Sequence, residues 1–535
     1  MIAGLAGFLI AFAIVLVLER FIQPQRSRRP VFHRVSMLSA MPMIVFYLSV
    51  FMATYRPVFA TVFGIIFFLG IVIVNNAKFR ELREPLVYSD FALLRQAIAH
   101  PALYVTYIGP FKVAAVILAG AAVIFGSLIY EPPVIDRDTP AEWFSTLAYF
   151  SVVIGLIYAI TRGPLRNEFR DILKQFGAST DVREDVDKLS LVTTLIFYFL
   201  LAGEQEIAVA KSRENEEEDR ARPVGQRPGL PNVVVVQSES FFDARRILQN
   251  VPQGFMQNFS TMCHEARYLG RLRVPAWGAN TLRTEFAFLS GIPDEALGVD
   301  RFNPYLKYCD KPVWTVATYL RSIGYRTICI HPFHKSFFRR DKVYPHLGFD
   351  EFIDIDDFNE GDRVGPYVSD NAVADKIEAL VKDETAPIFV FAITMENHGP
   401  WKKPRIEVPP ELRSAPPVKS NAFAQYLAHL QNADRMIGRI RNMLLSSRRK
   451  SIFCFYGDHL PSMPKLFTSI GFDDPRTDYF VWLSGGPVEG RSVNASADAL
   501  NRLLLETFSA AQTRPDDETV NAPRAAGIGQ IKDAP

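Results

Sequence analysis

Residues 232–243 read NVVVVQSESFFD: an apolar run that passes without a break into a polar turn. Four valines in succession do not alternate with polar residues, so this is a strand covered on both faces, not the half-exposed strand of a hairpin. Similar short runs recur at Thr327–Ile330 (TICI), Ile388–Thr394 (IFVFAIT) and Ser451–Tyr456 (SIFCFY). They are rich in β-branched and aromatic residues and are separated by helix-length segments such as VWTVATYLRSIGY. The chain from residue 232 onward therefore predicts an α/β fold with a central mixed, mostly parallel sheet. In open sheets of this kind, ligands bind beyond the carboxyl ends of the strands. Those positions hold Glu239 (QSES), His398 (MENHGPW) and Asp458–His459 (GDHLP), so three strands deliver metal-compatible side chains to one edge.

The first two hundred residues differ in kind. Apolar runs lie at about 2–18, 36–53, 58–74, 113–130 and 144–161, each near the ~20 residues needed to cross a bilayer. A sixth, Leu189–Gly203 (LSLVTTLIFYFLLAG), is shorter and is also read as a span. The segments after the first, third and fifth runs are basic: Arg20, Arg26 and Arg28, then Lys78, Arg80 and Arg83, then Arg162, Arg166 and Arg170. The 131–143 loop is acidic. Placing the basic segments in the cytoplasm makes six spans put the rest of the chain outside, whereas five would leave it inside. The expected layout is a membrane domain over 1–203 with about six spans, a charged linker over 204–231, a catalytic domain over 232–510 and a disordered tail over 511–535.

Across 535 residues the net charge is only +2, which gives no support for a nucleic-acid partner. No CxxC spacing occurs among Cys263, Cys309, Cys329 and Cys454, so a cysteine-held structural metal is disfavoured. Cys263 and Cys309 flank the GANTLRTEFAFLSG segment and are open to disulfide pairing in an oxidising compartment.

At NVVVVQSESFFD, GANTLRTEFAFLSG, HKSFFRRD, TMENHGPW and FYGDHLP the chain resembles the lipoteichoic acid synthase and phosphoglycerol transferase group of the alkaline phosphatase/sulfatase superfamily. The resemblance extends to EPLVYSDFALLRQAIAHPALY in the N-terminal half. It implies a sulfatase-like catalytic domain with one divalent metal ion, manganese foremost and magnesium or zinc next, held by Glu239, Thr281, Asp458 and His459. Thr281 is the implied nucleophile, because the family threonine lies four residues before Glu-Phe, here Glu285–Phe286; Thr284 does not fit. His398 matches a histidine near the substrate phosphate, and His331, Phe338 and Arg340 fall at headgroup contacts. Phe338 stands where lipoteichoic acid synthases carry tryptophan, so the indole N–H is missing. The formylglycine precursor motif of true sulfatases is absent, which disfavours sulfate-ester hydrolysis.

The chemistry is coherent without the resemblance. A threonine hydroxyl is a weak nucleophile at neutral pH, and a bound cation lowers its pKa. Oxygen donors with one imidazole suit hard or borderline divalent ions. Against this, Thr281 could simply cap a helix, and HPFHKSFFRRD could be an ordinary basic loop. The expected protein is a phosphoglycerol transferase in a bacterial-type inner membrane with its catalytic domain outside. It takes phosphatidylglycerol as donor and an envelope glucan or polymer as acceptor. The alternatives are a phosphoethanolamine transferase and an inactive sensor or scaffold.

Overall fold

The computed structural model describes residues 2–24, 34–101, 110–135, 139–202, 229–383, 386–486 and 490–512. Most of the expected linker and nearly all of the expected tail lie outside the described residues; the last helix runs to Gln512, past the expected boundary at 510.

The valine run is the centre of the sheet. Its strands are β1 (Asn232–Ser238), β2 (Tyr268–Arg273), β3 (Arg326–Ile330), β4 (Glu351–Ile353), β7 (Ile388–Ile393), β8 (Ser451–Gly457), β9 (Thr477–Leu483), β10 (Arg491–Ser492) and β11 (Ala495–Ser496). The order is β10-β2-β9-β8-β1-β7-β3-β4, with β11 also on β2. β5 (Arg363–Val364) and β6 (Tyr367–Val368) form a separate small hairpin. β1 pairs in parallel with β7 (Val233 with Phe389) and with β8 (Val233 with Ile452), while β9 runs antiparallel to β8 and β2. All four expected strands are present, in the mixed and mostly parallel sheet the sequence predicts.

The pleat divides the valines between two cores. Val234 and Val236 face one, with the helices Asp370–Asp383 and Asn421–Leu445; Val233 and Val235 face the other, with Thr281–Ser290 and Ala497–Gln512. Each fully buried valine contributes roughly 1.5–3 kcal/mol, so burial on both faces specifies this register strongly. Cys263 packs against the first core and Cys309 against the second, and all four cysteines are free thiols. The sheet lies between the two cores, and the disulfide left open for Cys263 and Cys309 does not form.

Five long apolar helices precede this domain: α1 (Ile2–Leu18), α2 (Arg34–Thr54), α3 (Pro57–Leu82), α4 (Pro110–Tyr130) and α5 (Pro140–Thr161). Among the described residues, α3 and α5 are long and apolar enough to cross a membrane, and shorter apolar stretches are Met41–Thr54, Ile117–Tyr130 and Leu191–Leu201. The expected sixth span is α6 (Leu191–Leu201), only 11 residues. At ~1.5 Å per residue it reaches about 16 Å, half of a bilayer core. Most of this helix is covered by protein, with Phe199 left exposed: Tyr198 is buried, stacks on Phe302 at 5.8 Å and donates to Asp185 at 2.9 Å.

The expected sidedness of the loops is also corrected. Asn75 and Asn76 bond to the chain at Phe21–Gln23, Glu84 pairs with Arg283 of the catalytic domain at 2.7 Å, and Arg301 donates to the Thr180 carbonyl at 2.8 Å. The described parts of the segments after α1, α3 and α5 thus lie at the same end as the α/β domain, not opposite it, while Arg26 and Arg28 lie outside the described residues. Several of these charges are engaged within the protein: Lys78 contacts Glu84 and Asp90, Arg166 donates to the Leu200 carbonyl and Arg170 pairs with Asp171.

Candidate active site

β1 ends at Ser238 and β8 at Gly457, side by side, so Glu239 and Asp458 leave the sheet at the same level. A Cβ on Gly457 would sit 1.8 Å from the Phe241 carbonyl oxygen; only glycine lets the two loops approach this closely. Ser240 ties them together. Its N–H donates to Asp458 Oδ1 at 2.8 Å and its hydroxyl to Glu239 Oε1 at 2.8 Å.

Glu239, Asp458 and His459 are all buried and offer ligand atoms within 4.8 Å of one another. His459 Nδ1–H donates to the Leu460 carbonyl at 2.9 Å, which turns the Nε2 lone pair toward Asp458 Oδ2 at 3.3 Å. Asp458 Oδ2 is sealed from solvent with no donor bonded to it. Burial, and then the charge of Asp458, push Glu239 up to about 8, and burial raises Asp458 as well. Two acids and an imidazole lone pair converge with no fixed cation among them. This donor set fits a divalent metal ion, with the Leu460 carbonyl orienting the histidine as a second layer.

Thr281 opens the helix α7 (Thr281–Ser290). Asn280, in the left-handed region at φ 67°, occupies the N-cap position, and no side chain caps this end, so Thr281 is not a helix cap. Its side chain lies against the Asp458 carboxylate and helps keep it ionised. Thr284 is one turn deeper, fully buried, with its hydroxyl on the Asp458 carbonyl at 2.8 Å.

The remaining expected residues line the adjoining side. His331 is buried and donates from Nδ1 to the Ile393 carbonyl at 3.2 Å; burial first, then Arg340, lower its pKa to about 3, so the ring is neutral. His398 is half-buried, its Nδ1 edge held by the Gly399 carbonyl at 2.8 Å and the Tyr367 hydroxyl at 3.0 Å, and burial lowers its pKa too. Arg340 differs from expectation. Its fork is already engaged by Glu285, through Nε to Oε2 at 3.1 Å and Nη2 to Oε1, so it does not offer a bidentate clamp. Nη1 alone is buried and unpartnered. The guanidinium sits 5.1 Å from the Phe338 ring centroid, so the aromatic wall is there without the indole.

Sequence reasoning missed several supporting residues. Glu285 accepts from Tyr305 at 2.8 Å and Tyr344 at 2.7 Å besides Arg340; it was legible only as a spacing marker. Glu396 is buried and accepts from His429 at 2.8 Å and Asn432 at 2.6 Å. The most consequential omission is the turn after α3. Arg283, two residues beyond Thr281, pairs with Glu84; the Arg83 guanidinium lies 3.6 Å over Trp277; and Ser462, three residues beyond His459, donates to Glu81 Oε2 at 2.9 Å. The N-terminal helices thus brace both the nucleophile loop and the Asp458–His459 loop.

Residues 231–506, just over half of the chain, match the family model described as Sulfatase. This chain belongs to the sulfatase family. The sulfatase-family chain is 30% identical over 498 residues to the capsular polysaccharide biosynthesis protein RkpI of Rhizobium meliloti strain 1021, covering 89% of this chain and 88% of that one. A putative cyclic β-1,2-glucan modification protein of the same organism is 28% identical over 253 residues, 46% of this chain and 38% of that one. Lipoteichoic acid synthase 1 of Bacillus subtilis is 25% identical over 142 residues, 25% of this chain and 21% of that one, in keeping with the motif resemblance. The integral membrane protein lipooligosaccharide phosphoethanolamine transferase A of Neisseria meningitidis shares the fold over 94% of both chains, with a TM-score of 0.51 at 14% identity. That likeness includes the N-terminal helices, which have the fold of an integral membrane protein's helical region.

Proposed function

We propose that this sulfatase-family protein is a membrane-bound phosphoglycerol transferase. It moves glycerol phosphate from phosphatidylglycerol, through a covalent adduct on Thr281, to a glycan of the cell envelope. The observation that carries the reading is the half-buried Thr281 at the start of α7, against an Asp458–Glu239–His459 trio that lacks a fixed cation. Glu239, Asp458, His459 and Thr281 would hold a divalent ion, which would supply the charge that makes a threonine hydroxyl nucleophilic at neutral pH. Thr281 Oγ attacks phosphorus, and the bond to the diacylglycerol oxygen breaks. His398, neutral and held at Nδ1, presents Nε2 to the leaving or entering oxygen and moves the proton. Arg340 Nη1 and the neutral His331 bind the phosphoglycerol, with Phe338 as an apolar wall. Two relatives named for polysaccharide and glucan work support a glycan acceptor.

In the proposed topology α1–α5 cross the membrane and α6 does not. Loop charge alone would then orient the catalytic domain inward. We place it outside, where envelope glycans are, because the basic residues near it are engaged by protein groups. Trypsin added to sealed spheroplasts should cleave the catalytic domain; complete protection would move it to the cytoplasm.

Incubating the protein with manganese and mixed phospholipids should leave glycerol phosphate on Thr281, read by peptide mass spectrometry. An ethanolamine phosphate adduct would transfer the reading to the related donor. No adduct, together with unchanged turnover in Thr281→Ala, would defeat the mechanism.

A further inference from the structure

Beside the site lies a cavity of about 360 Å³, within the range of small-ligand pockets. Phe333, Phe358, Pro366 and Tyr367 give it apolar surface. Tyr367 connects it to the chemistry, because its hydroxyl reaches His398 Nδ1 at 3.0 Å. His334 also lines the cavity, stacked 5.3 Å from His100 of the segment that follows α3.

The carboxylates that line the cavity, Asp356 and Glu360, are both exposed. Other acids of the same stretch, Asp350, Glu351 and Asp354, are paired with Arg321, Arg326 and Lys335. Arg363 is the basic residue that follows, and it pairs with Glu360 at 3.3 Å. A polyanion such as a growing polyglycerol phosphate chain would meet like charge here, which costs affinity. Sugar rings present C–H faces that pack on aromatic and proline surfaces, and hydroxyls that donate to carboxylates.

We propose that this cavity is the acceptor subsite and that its occupant is an uncharged glycan. The inference rests on the Thr281 transferase reading. In the second half-reaction the glycan hydroxyl oxygen bonds to phosphorus and the bond from phosphorus to Thr281 Oγ breaks. The hydroxyl's proton passes by way of His398 to the departing threonine oxygen. Water in place of the glycan releases free glycerol phosphate.

The test uses the full chain in nanodiscs with phosphatidylglycerol and manganese. A neutral β-1,2-linked glucan is one acceptor probe and polyglycerol phosphate the other. The neutral glucan should be favoured about tenfold, and Phe358→Ala should lower the ratio of transfer to hydrolysis about tenfold. Asp356→Lys with Glu360→Lys, both exposed, should shift the preference toward the anionic probe. Equal loss of transfer and hydrolysis in Phe358→Ala would make the cavity part of the donor site, and an unchanged ratio would exclude it from the reaction. Direct glucan binding to Thr281→Ala protein, weakened about tenfold by Phe358→Ala, reads the cavity without turnover; equal binding would overturn the proposal. A wild-type protein that binds glucan at the cavity but releases no diacylglycerol would defeat the transferase reading alone.

Discussion

Two clusters of buried acids, distant from Thr281 along the chain but brought near it by Arg283 and by Asp458, have opposite chemistry. In the turn after α3, Glu84 touches Lys78 at 2.9 Å and Arg283 at 2.7 Å. Burial alone would raise its pKa, but the two cations override it and hold the carboxyl at about 2. At the strand ends, among the described residues, Glu239 and Asp458 are paired with no lysine or arginine, and Glu239 rises to about 8. The first cluster is complete in the protein and acts as a brace; the second is a donor set that fits a cation from solution. Acid residues at the edge of a sheet are therefore read by what neutralises them, and their burial alone does not distinguish a ligand from a strut.

The contrast can be broken at four levels. Asp458→Asn should reduce transfer on the order of 10³-fold, yet raise the melting temperature of the metal-free protein by relieving like charge; a fall in metal-free stability would mean the acid is a strut. Glu84→Ala should do the reverse in kind. It strands Arg283 and destabilises the protein by roughly 3 kcal/mol in denaturant titrations, while bound metal measured on the folded fraction stays the same. The pH dependences should oppose each other. Glu84 has a depressed pKa, so its stabilisation is full above its unfolded value near 4.5 and is lost toward pH 2. Glu239 has a raised one, so metal-free protein loses stability as pH climbs from about 4.5 to 8, and the melting-temperature gain from added manganese should grow over that interval. The smallest effect is expected for Arg83→Ala, about 1 kcal/mol from the lost contact with Trp277, read as a lower melting temperature.

What could be read from the sequence followed from how local each signal was. The valines of β1 announce two-sided burial by themselves, and Glu239, Asp458 and His459 sit immediately beyond recognisable strands, so their convergence follows from parallel pairing. The Leu189–Gly203 run could not be resolved in this way. LVTTLIFYFLL is equally suited to lipid and to a protein pocket, and Phe302, about a hundred residues on, decides for the pocket. Loop charges misled for a related reason: Lys78 and Arg166 count as basic in sequence, but their partners Asp90 and the Leu200 carbonyl are visible only once the chain is folded. Arg340 was legible as a site residue but its occupation by Glu285 was not, because 55 residues separate them. Tyr367 lies on a two-residue strand with no pattern to mark it.

The junction at Glu81–Glu84 gives α3 a second meaning. This helix has 26 residues, about 39 Å at 1.5 Å per residue, and the turn at its end grips the loops of Thr281 and of Asp458–His459 directly. In the proposed membrane transferase it works as a measuring rod: the altitude of Thr281 above the lipid is set by the number of residues in one helix. Removing a full turn would lower the reaction centre by ~5 Å without altering any side chain that performs chemistry. How far a headgroup must rise to be cut is, in this architecture, written as a length.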